Sequence, residues 1–579
     1  LYLEYLEIKD DDSTLISVTI ESYILFVVTL YLKQQQNIQI ILIKISNKSD
    51  DNRVGIEINI ESINVKIQHS DSTHCQYPTY VSEKLIIAGL CGVCRRLAKN
   101  YRKLEGANLL GFKDSTLLAP AEMCIWTKFC EIDIQKCLAK VLNAELNQNA
   151  FNLPEELCKF ECHLGQPVKL HNVYKLINEL NKVKISSKEE FDKIKSEKNK
   201  FDFHLDHKYA EGYIFTISDV ILYSCFYIFF RKINLNRVSD SVLPLITKWF
   251  ENLQQEYKEL DEICSGLLQG NALICVNLNA KEYQMSKLEN YSMYKRNKRK
   301  LNLAELRILT NQNELDCALE KVRTIEGNLS SIPYDRDRNL FNWEDVPMEA
   351  KPEGSHLPDK RIERKKQQLE CLANEVIALA KPTDIIVDFC SGTGHLGILL
   401  AHLLPDCCIY ILENKEESIT RAMKRVESLQ LQNVRFVQSN LDYFTGDFDI
   451  GIALHACGVA TDIVLEKCWR KKASFVCCPC CYGKIQEIDH IKYPRSSRYQ
   501  LAKLTTKDYF SIAHCSDQTH DVQNERTNIA KAEQGNFCMD IIDSDRLMKA
   551  EEIGYCTILK RLKPENCTPK NRLLIGYFL

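Results

Sequence analysis

The stretch Val387-Asp388-Phe389-Cys390-Ser391-Gly392-Thr393-Gly394-His395-Leu396-Gly397 decides the reading of the last third of the chain. Ile385-Ile386-Val387 predicts a short buried strand, Asp388 stands at its end, and Leu396 to Leu404 predicts an apolar helix. Between them the glycines fall at G-x-G-x-x-G spacing. Such a loop lets backbone without Cβ atoms approach a cofactor at the carboxyl end of a strand. The spacing alone fits more than one cofactor class, and also a plain structural turn.

Reading downstream supplies the rest of a cofactor crevice. A strand from Cys408 to Leu412 ends in Glu413, 25 positions after Asp388, where a carboxylate accepts from both ribose hydroxyls. Helix Ser418 to Leu429 and strand Val434 to Gln438 lead to Ser439-Asn440. Asn440 offers an amide oxygen to an adenine amino group, with a turn residue as the competing reading. A fourth strand, Phe448 to Leu454, runs into His455-Ala456-Cys457-Gly458-Val459-Ala460-Thr461-Asp462. A fifth, Ala473 to Cys477, runs into Cys478-Pro479-Cys480-Cys481-Tyr482-Gly483. Helix Ser544 to Ile553 and strands Tyr555 to Leu562 and Leu573 to Phe578 complete a sheet of seven.

This pattern resembles the class I methyltransferases, a Rossmann-like α/β fold. They place an acid at the end of the first strand to hold the methionine moiety, where a dinucleotide fold packs a core residue. The resemblance implies S-adenosyl-L-methionine as cofactor, bound by Asp388, Gly392, Gly394, Gly397, Glu413 and Asn440. At the last position the family commonly has aspartate. It also puts the methyl acceptor at the ends of strands four and five, which makes His455, Cys457, Cys480 and Tyr482 the candidate catalytic residues. The His-x-Cys-Gly element is similar to that of a wider methyltransferase group that includes tRNA methyltransferases, which implies RNA as substrate.

The sulfonium methyl is already electrophilic, so alignment and water exclusion supply most of the catalysis. His455 would take or orient the acceptor's proton, or serve only as a structural histidine. Tyr482 would stack on or hydrogen-bond a base. A sharper alternative makes Cys478 or Cys480 a nucleophile for pyrimidine C5 methylation. Zinc held by Cys457, Cys478, Cys480, Cys481 and His455 is a further option, but the spacing is not a C-x-x-C pair and no metal is expected.

The front of the chain reads differently. Tyr2 to Ile8, Thr14 to Leu32 and Ile38 to Ile45 predict strand, helix, strand, followed by Pro78, the apolar run Leu85 to Ala88 and a helix from Cys91 to Tyr101. Thr14 to Leu32 is about as long as a membrane span, but Glu21 near its middle makes it a buried helix. Helical patterning follows, with Glu122 to Leu146 as one long candidate. Thr216-Ile217-Ser218-Asp219 is a capping box opening an apolar helix, Val220 to Phe230. Leu243-Pro244 opens another.

This half resembles the glutathione S-transferase architecture, a thioredoxin-like domain followed by an all-helical domain. The positions matching the family's glutathione-holding acid and serine are Gly89 and Leu90, and only Ser13 stands near the family's catalytic position, so glutathione transfer is not expected. Cys91-Gly92-Val93-Cys94 lies after Pro78 rather than before it, which favours core packing over redox chemistry. Together the two halves resemble the family of glutathione S-transferase C-terminal domain-containing proteins. The expected organisation is a degenerate thioredoxin-like α/β domain over 1–103, a helical domain over 104–275, a linker over 276–358 and a seven-stranded methyltransferase domain over 359–579.

Composition sets the outer limits. A length of 579 residues calls for several domains, and a net charge of -3 excludes a uniformly basic nucleic-acid binder. The basic run Lys295 to Lys300 reads as a solvated face, with RNA steering as the alternative. Twenty-six cysteines without a signal-peptide pattern point to reduced thiols and a cytoplasmic protein off the membrane. The chain starts at Leu1, so a truncated N-terminus stays open. The leading expectation is an RNA methyltransferase whose front half docks a protein partner or forms a homodimer. Its rival is a non-catalytic scaffold.

Overall fold

The computed structural model describes the chain apart from residues 10–13, 35, 46–53, 69–72, 107, 122, 145–146, 169–205, 234–241, 269–278, 286–292, 294–310, 326–331, 334–339, 356–357, 519–528 and 579. Ser13 and the basic run at 295–300 therefore lie outside the described residues. The chain divides into two compact units. One holds Leu1–Ser72, Gln76–Val81 and Ala88–Asn297; the other holds Thr73–Cys75, Ser82–Ile87 and Lys298–Leu579.

In the first unit, β1 (Tyr2–Ile8) is flanked by β2 (Leu15–Val18), antiparallel, and β3 (Ile40–Lys44), parallel. The expected strand-helix-strand start is present, but the helix is shorter than predicted and spans Ile20–Tyr31. Leu15 to Val18 instead pairs as a strand, antiparallel to β1. Thr19 then caps the helix, its hydroxyl accepting from the Ser22 N–H at 3.2 Å. No helix among the described residues is long and apolar enough to cross a membrane. β4 (Ile56–Asn59) joins β2, β5 (Val65–Gln68) joins β3, and β6 (Thr79–Ser82) follows a cis Tyr77–Pro78 bond. Cys91 and Cys94 are buried in the helix Leu90–Glu105, and burial pushes both thiols up.

The long helix expected over Glu122 to Leu146 is broken. Ile125–Lys128 passes through a π turn, Phe129–Asp133, into Ile134–Leu142, and β8 (Asn147–Asn152) then pairs with β9 (Asn279–Gln284). The capping box is as expected: Asp219 Oδ2 accepts from the Thr216 N–H at 2.9 Å, and the helix Ile217–Lys232 it opens is buried along nearly its whole length. Thr216→Ala is expected to lower the stability of this unit by about 1 kcal/mol, read as a shift in its urea midpoint.

The second unit is built on a mixed sheet. Its strands include β7 (Leu85–Ala88), β10 (Ile332–Pro333), β11 (Ile385–Phe389), β12 (Cys408–Glu413), β13 (Val434–Gln438), β14 (Ile450–Cys457), β15 (Ser474–Cys480), β16 (Tyr555–Arg561) and β17 (Arg572–Phe578). The central order is β13-β12-β11-β14-β15-β17-β16, with β17 antiparallel to both neighbours. Strand order reverses between β11 and β14, and in such sheets the ligand crevice lies beyond the carboxyl ends at that switch point. Leu85, Ile86 and Ile87 extend the edge beyond β13, and Lys84 donates to the Leu431 carbonyl at 3.0 Å. This segment, expected with the front domain, covers an apolar strand edge that would otherwise stay unpaired.

The stretch 276–358 is more than a linker. Its helix Gln312–Arg323 buries Leu315, Ala318, Leu319 and Val322 against Tyr499, Tyr509, Ile512 and Met539. The helix expected from Ser544 begins earlier, spanning Ile529–Glu552, and supplies Met539 and Ile542 to the same core.

Candidate functional site

The loop between β11 and the helix His395–Leu403 is held by its own acid. Asp388, 1% exposed, accepts from the Gly397 N–H through Oδ2 at 2.9 Å. Burial pushes its carboxyl up to about 7, opposed by the Gly397 bond and the Lys365 ammonium. A Cβ on Gly397 would come within 2.9 Å of Ile411 Cγ1 and 3.1 Å of Asp388 Oδ2, so this position brings helix and sheet together. Gly392 differs: its φ is 57° and nothing lies within 4 Å of where a Cβ would stand, leaving an open cradle over the strand ends.

Glu413, at the end of β12, faces that cradle. One oxygen accepts from the Gly392 N–H at 2.9 Å, the other from the N–H groups of Asn414 and Lys415 at 3.0 Å each. A carboxylate has about four acceptor sites, so capacity remains for a ligand hydroxyl. Asn440 is half-buried before the turn Leu441–Tyr443, and its side chain does not cap that turn. Two hydroxyls nearby, Ser391 Oγ in the loop and Ser439 Oγ after β13, are buried with no partner among the described residues. Unsatisfied buried hydroxyls are costly and fit a crevice whose polar ligand completes them.

Sequence reading missed the cations around this crevice. Lys365 and Gln368 share the buried stripe of Leu369, Leu372 and Val376 on the helix Asp359–Leu379, and that helical spacing was the available signal. Burial pulls the Lys365 ammonium down to about 8, with Asp388 and Cys478 opposing it. Arg425 donates to the carbonyls of Thr393 and Glu349, tying the glycine loop to the turn Met348–Ala350. The expected linker thus braces the loop.

His455 sits in a bulge of β14 with φ 72°, a left-handed conformation uncommon for a non-glycine residue. Gln368 donates from Nε2 to the Cys567 carbonyl at 3.1 Å, so its Oε1, which only accepts, faces His455 Nε2 at 3.0 Å. The proton therefore lies on Nε2, and Nδ1 keeps its lone pair. Burial and the Lys365 charge pull the imidazolium down to about 4, so the ring is neutral at physiological pH.

The cysteines and Tyr482 correct the expectations. Tyr482 is 1% exposed and donates its hydroxyl to Asp543 Oδ2 at 2.6 Å, so it cannot stack on a base. Cys478 is fully buried with its thiol toward the Lys570 carbonyl, and burial pushes it up. Cys480 is pushed up by its bond to Cys457 and by burial. Neither is an activated nucleophile. The lowered thiol is the exposed Cys457, brought down to about 6 chiefly by its contact with Cys480, whose sulfur lies 3.2 Å away. The structure thus brings Cys457, Cys480 and Cys481 together and leaves Cys478 and His455 out of that cluster.

Sheet order, an acid-ended first strand and an open glycine loop define a methyltransferase-type Rossmann domain. The family described as "Methyltransferase domain" matches residues 360–488. The "Glutathione S-transferase C-terminal domain-containing protein homolog" of Drosophila melanogaster is 39% identical over 596 residues, covering 100% of this chain and 99% of its own. The corresponding protein of Xenopus laevis is 34% identical over 87% of this chain and 88% of its own, and that of Homo sapiens 32% over 87% and 86%. The chain belongs to the family of glutathione S-transferase C-terminal domain-containing proteins. Over a shorter stretch, 12% of this chain and 26% of its own, the "Release factor glutamine methyltransferase" of Salmonella typhimurium is 34% identical.

Proposed function

We propose that the second unit binds S-adenosylmethionine and transfers its methyl group to RNA, with the glutathione S-transferase-like front half as a docking or dimerisation module. The observation that carries the cofactor reading is the crevice itself: Asp388, the open Gly392 cradle and the unpaired hydroxyls of Ser391 and Ser439. Asp388 and Glu413 would hold the amino-acid and ribose ends, and Asn440 the adenine. When bound, the cofactor supplies an electrophilic methyl group. The chain's own contribution is then to exclude water and align an acceptor, and in this reading His455 Nδ1, the ring nitrogen that keeps its lone pair, accepts the acceptor's proton. Exposed Arg361 and Arg364, on the helix that also carries Lys365 and Gln368, support a polyanionic acceptor.

Incubation with tritium-labelled S-adenosylmethionine and protein-free total RNA tests the acceptor. The expected result is label in RNA that is lost in His455→Ala; label confined to protein, or none in either, rejects RNA as substrate.

The cofactor is cationic at its sulfonium and amino groups, so it favours the ionised form of Asp388. With that carboxyl near pH 7 in the free protein, affinity is expected to rise about tenfold between pH 6 and pH 8. Calorimetry across that range, in buffers of different ionisation enthalpy, should also show proton release on binding. An affinity independent of pH would mean that Asp388 is already ionised or takes no part.

A further inference from the structure

Three thiols converge where β14 and β15 end. The sulfurs of Cys457, Cys480 and Cys481 all lie within 4.8 Å of one another. Neighbouring residues in a regular strand point to opposite faces, so Cys480 and Cys481 share a side only because Cys481 takes a left-handed φ of 52° and ends the strand. The bulge at His455 does the same for Cys457, setting it level with Cys480 in the adjacent strand. The surrounding backbone is pinned. The Gly458 N–H donates to the Cys480 carbonyl at 3.0 Å, and the Asp517 carboxylate accepts from the N–H groups of Tyr482 at 3.1 Å and Gly483 at 2.8 Å. Lys570, 3.1 Å from Asp517, adds positive charge beside the sulfurs.

We propose that Cys457, Cys480 and Cys481 form a three-thiolate site for a zinc ion. Zinc sits about 2.3 Å from each thiolate in a tetrahedron, which separates the sulfurs by roughly 3.8 Å; the three sulfurs lie within 4.8 Å of one another, and the Cys457–Cys480 pair, at 3.2 Å, opens by about half an ångström to receive the ion. No further histidine, cysteine or carboxylate joins the group among the described residues. His455 is turned to Gln368 and Cys478 to the Lys570 carbonyl. Among the described residues no fourth protein ligand completes the tetrahedron, the arrangement of zinc sites that exchange a ligand and unlike closed four-residue structural sites. Cys457 is exposed and gives the ion an entry path.

The site does not depend on the methyltransferase reading, because metal content and cofactor binding are measured separately. Full-length protein, expressed with zinc and purified under reductant without chelator, is expected to carry about one zinc ion per chain. Metal-free protein should take up Co²⁺ with the intense visible absorption of a tetrahedral thiolate site. Cys457→Ser and, independently, Cys481→Ser are expected to abolish both signals without lowering the melting temperature of the metal-free chain. Cys317→Ser, on the exposed face of the helix Gln312–Arg323, should leave both intact. Metal-free wild-type protein that gives no cobalt absorption overturns the proposal, as does recovery of Cys457 and Cys480 as a disulfide in peptide mass mapping.

Discussion

Asp388→Ala is expected to weaken S-adenosylmethionine binding about tenfold to a hundredfold, because hydrogen bonds to a charged group contribute about 1.5–3 kcal/mol. In the proposed cofactor reading the carboxylate has two tasks: it accepts from the Gly397 N–H, fixing the turn of the glycine loop, and it supplies negative charge for the cationic end of the cofactor. Alanine removes both. Asp388→Asn separates them, since the amide oxygen still accepts from Gly397 while the charge is gone; its loss should be smaller and its pH dependence absent. Calorimetry on folded protein, checked by thermal melting, reads the effect. Unchanged affinity in the alanine variant would remove Asp388 from the cofactor site.

The largest effect on stability is expected at Arg546. Its guanidinium is 1% exposed and lies between two fully buried carboxylates, 2.6 Å from Asp462 and 3.0 Å from Asp543. Tyr493 and Tyr482 donate to the same two carboxylates. Arg546→Ala removes the guanidinium between the two buried acids, leaving Asp462 only the more distant Arg495 at 3.9 Å, and is expected to cost about 3–5 kcal/mol. Urea denaturation checks it. Asp543→Asn, which keeps an acceptor for Tyr482, should cost clearly less; equal losses would mean that packing rather than charge holds this network. The network joins the helix Val459–Lys471, which follows the His455 bulge, to the helix Ile529–Glu552. Tyr482 belongs to this scaffold and not to the chemistry.

What was legible in the sequence followed from one-dimensional signals. The central strands of the second unit are short, mostly apolar runs, and Val434–Gln438 was readable to the residue. The capping box at Thr216 and the Asp388 loop were equally local. Features set by tertiary packing were not. Leu85 to Ile87 reads as a strand, but nothing in it says which sheet it joins. The Thr14 to Val18 stretch looked helical because its apolar residues continue into a true helix. Lys365 has no motif to mark it; only its place on the stripe of Leu369 and Leu372 shows that it faces inward. Cys480 and Cys481 point to opposite faces in any strand reading. Only the left-handed turn at Cys481 gathers them with Cys457, which is why spacing gave no metal signature.

Calorimetry of the full-length protein against S-adenosylmethionine, with NAD and glutathione as comparisons, tests the cofactor assignment most directly. Saturable binding of S-adenosylmethionine is expected, abolished or strongly weakened by Asp388→Ala, with no heat from the other two. Binding of NAD in its place, or no S-adenosylmethionine binding by folded protein at pH 8, would contradict that assignment.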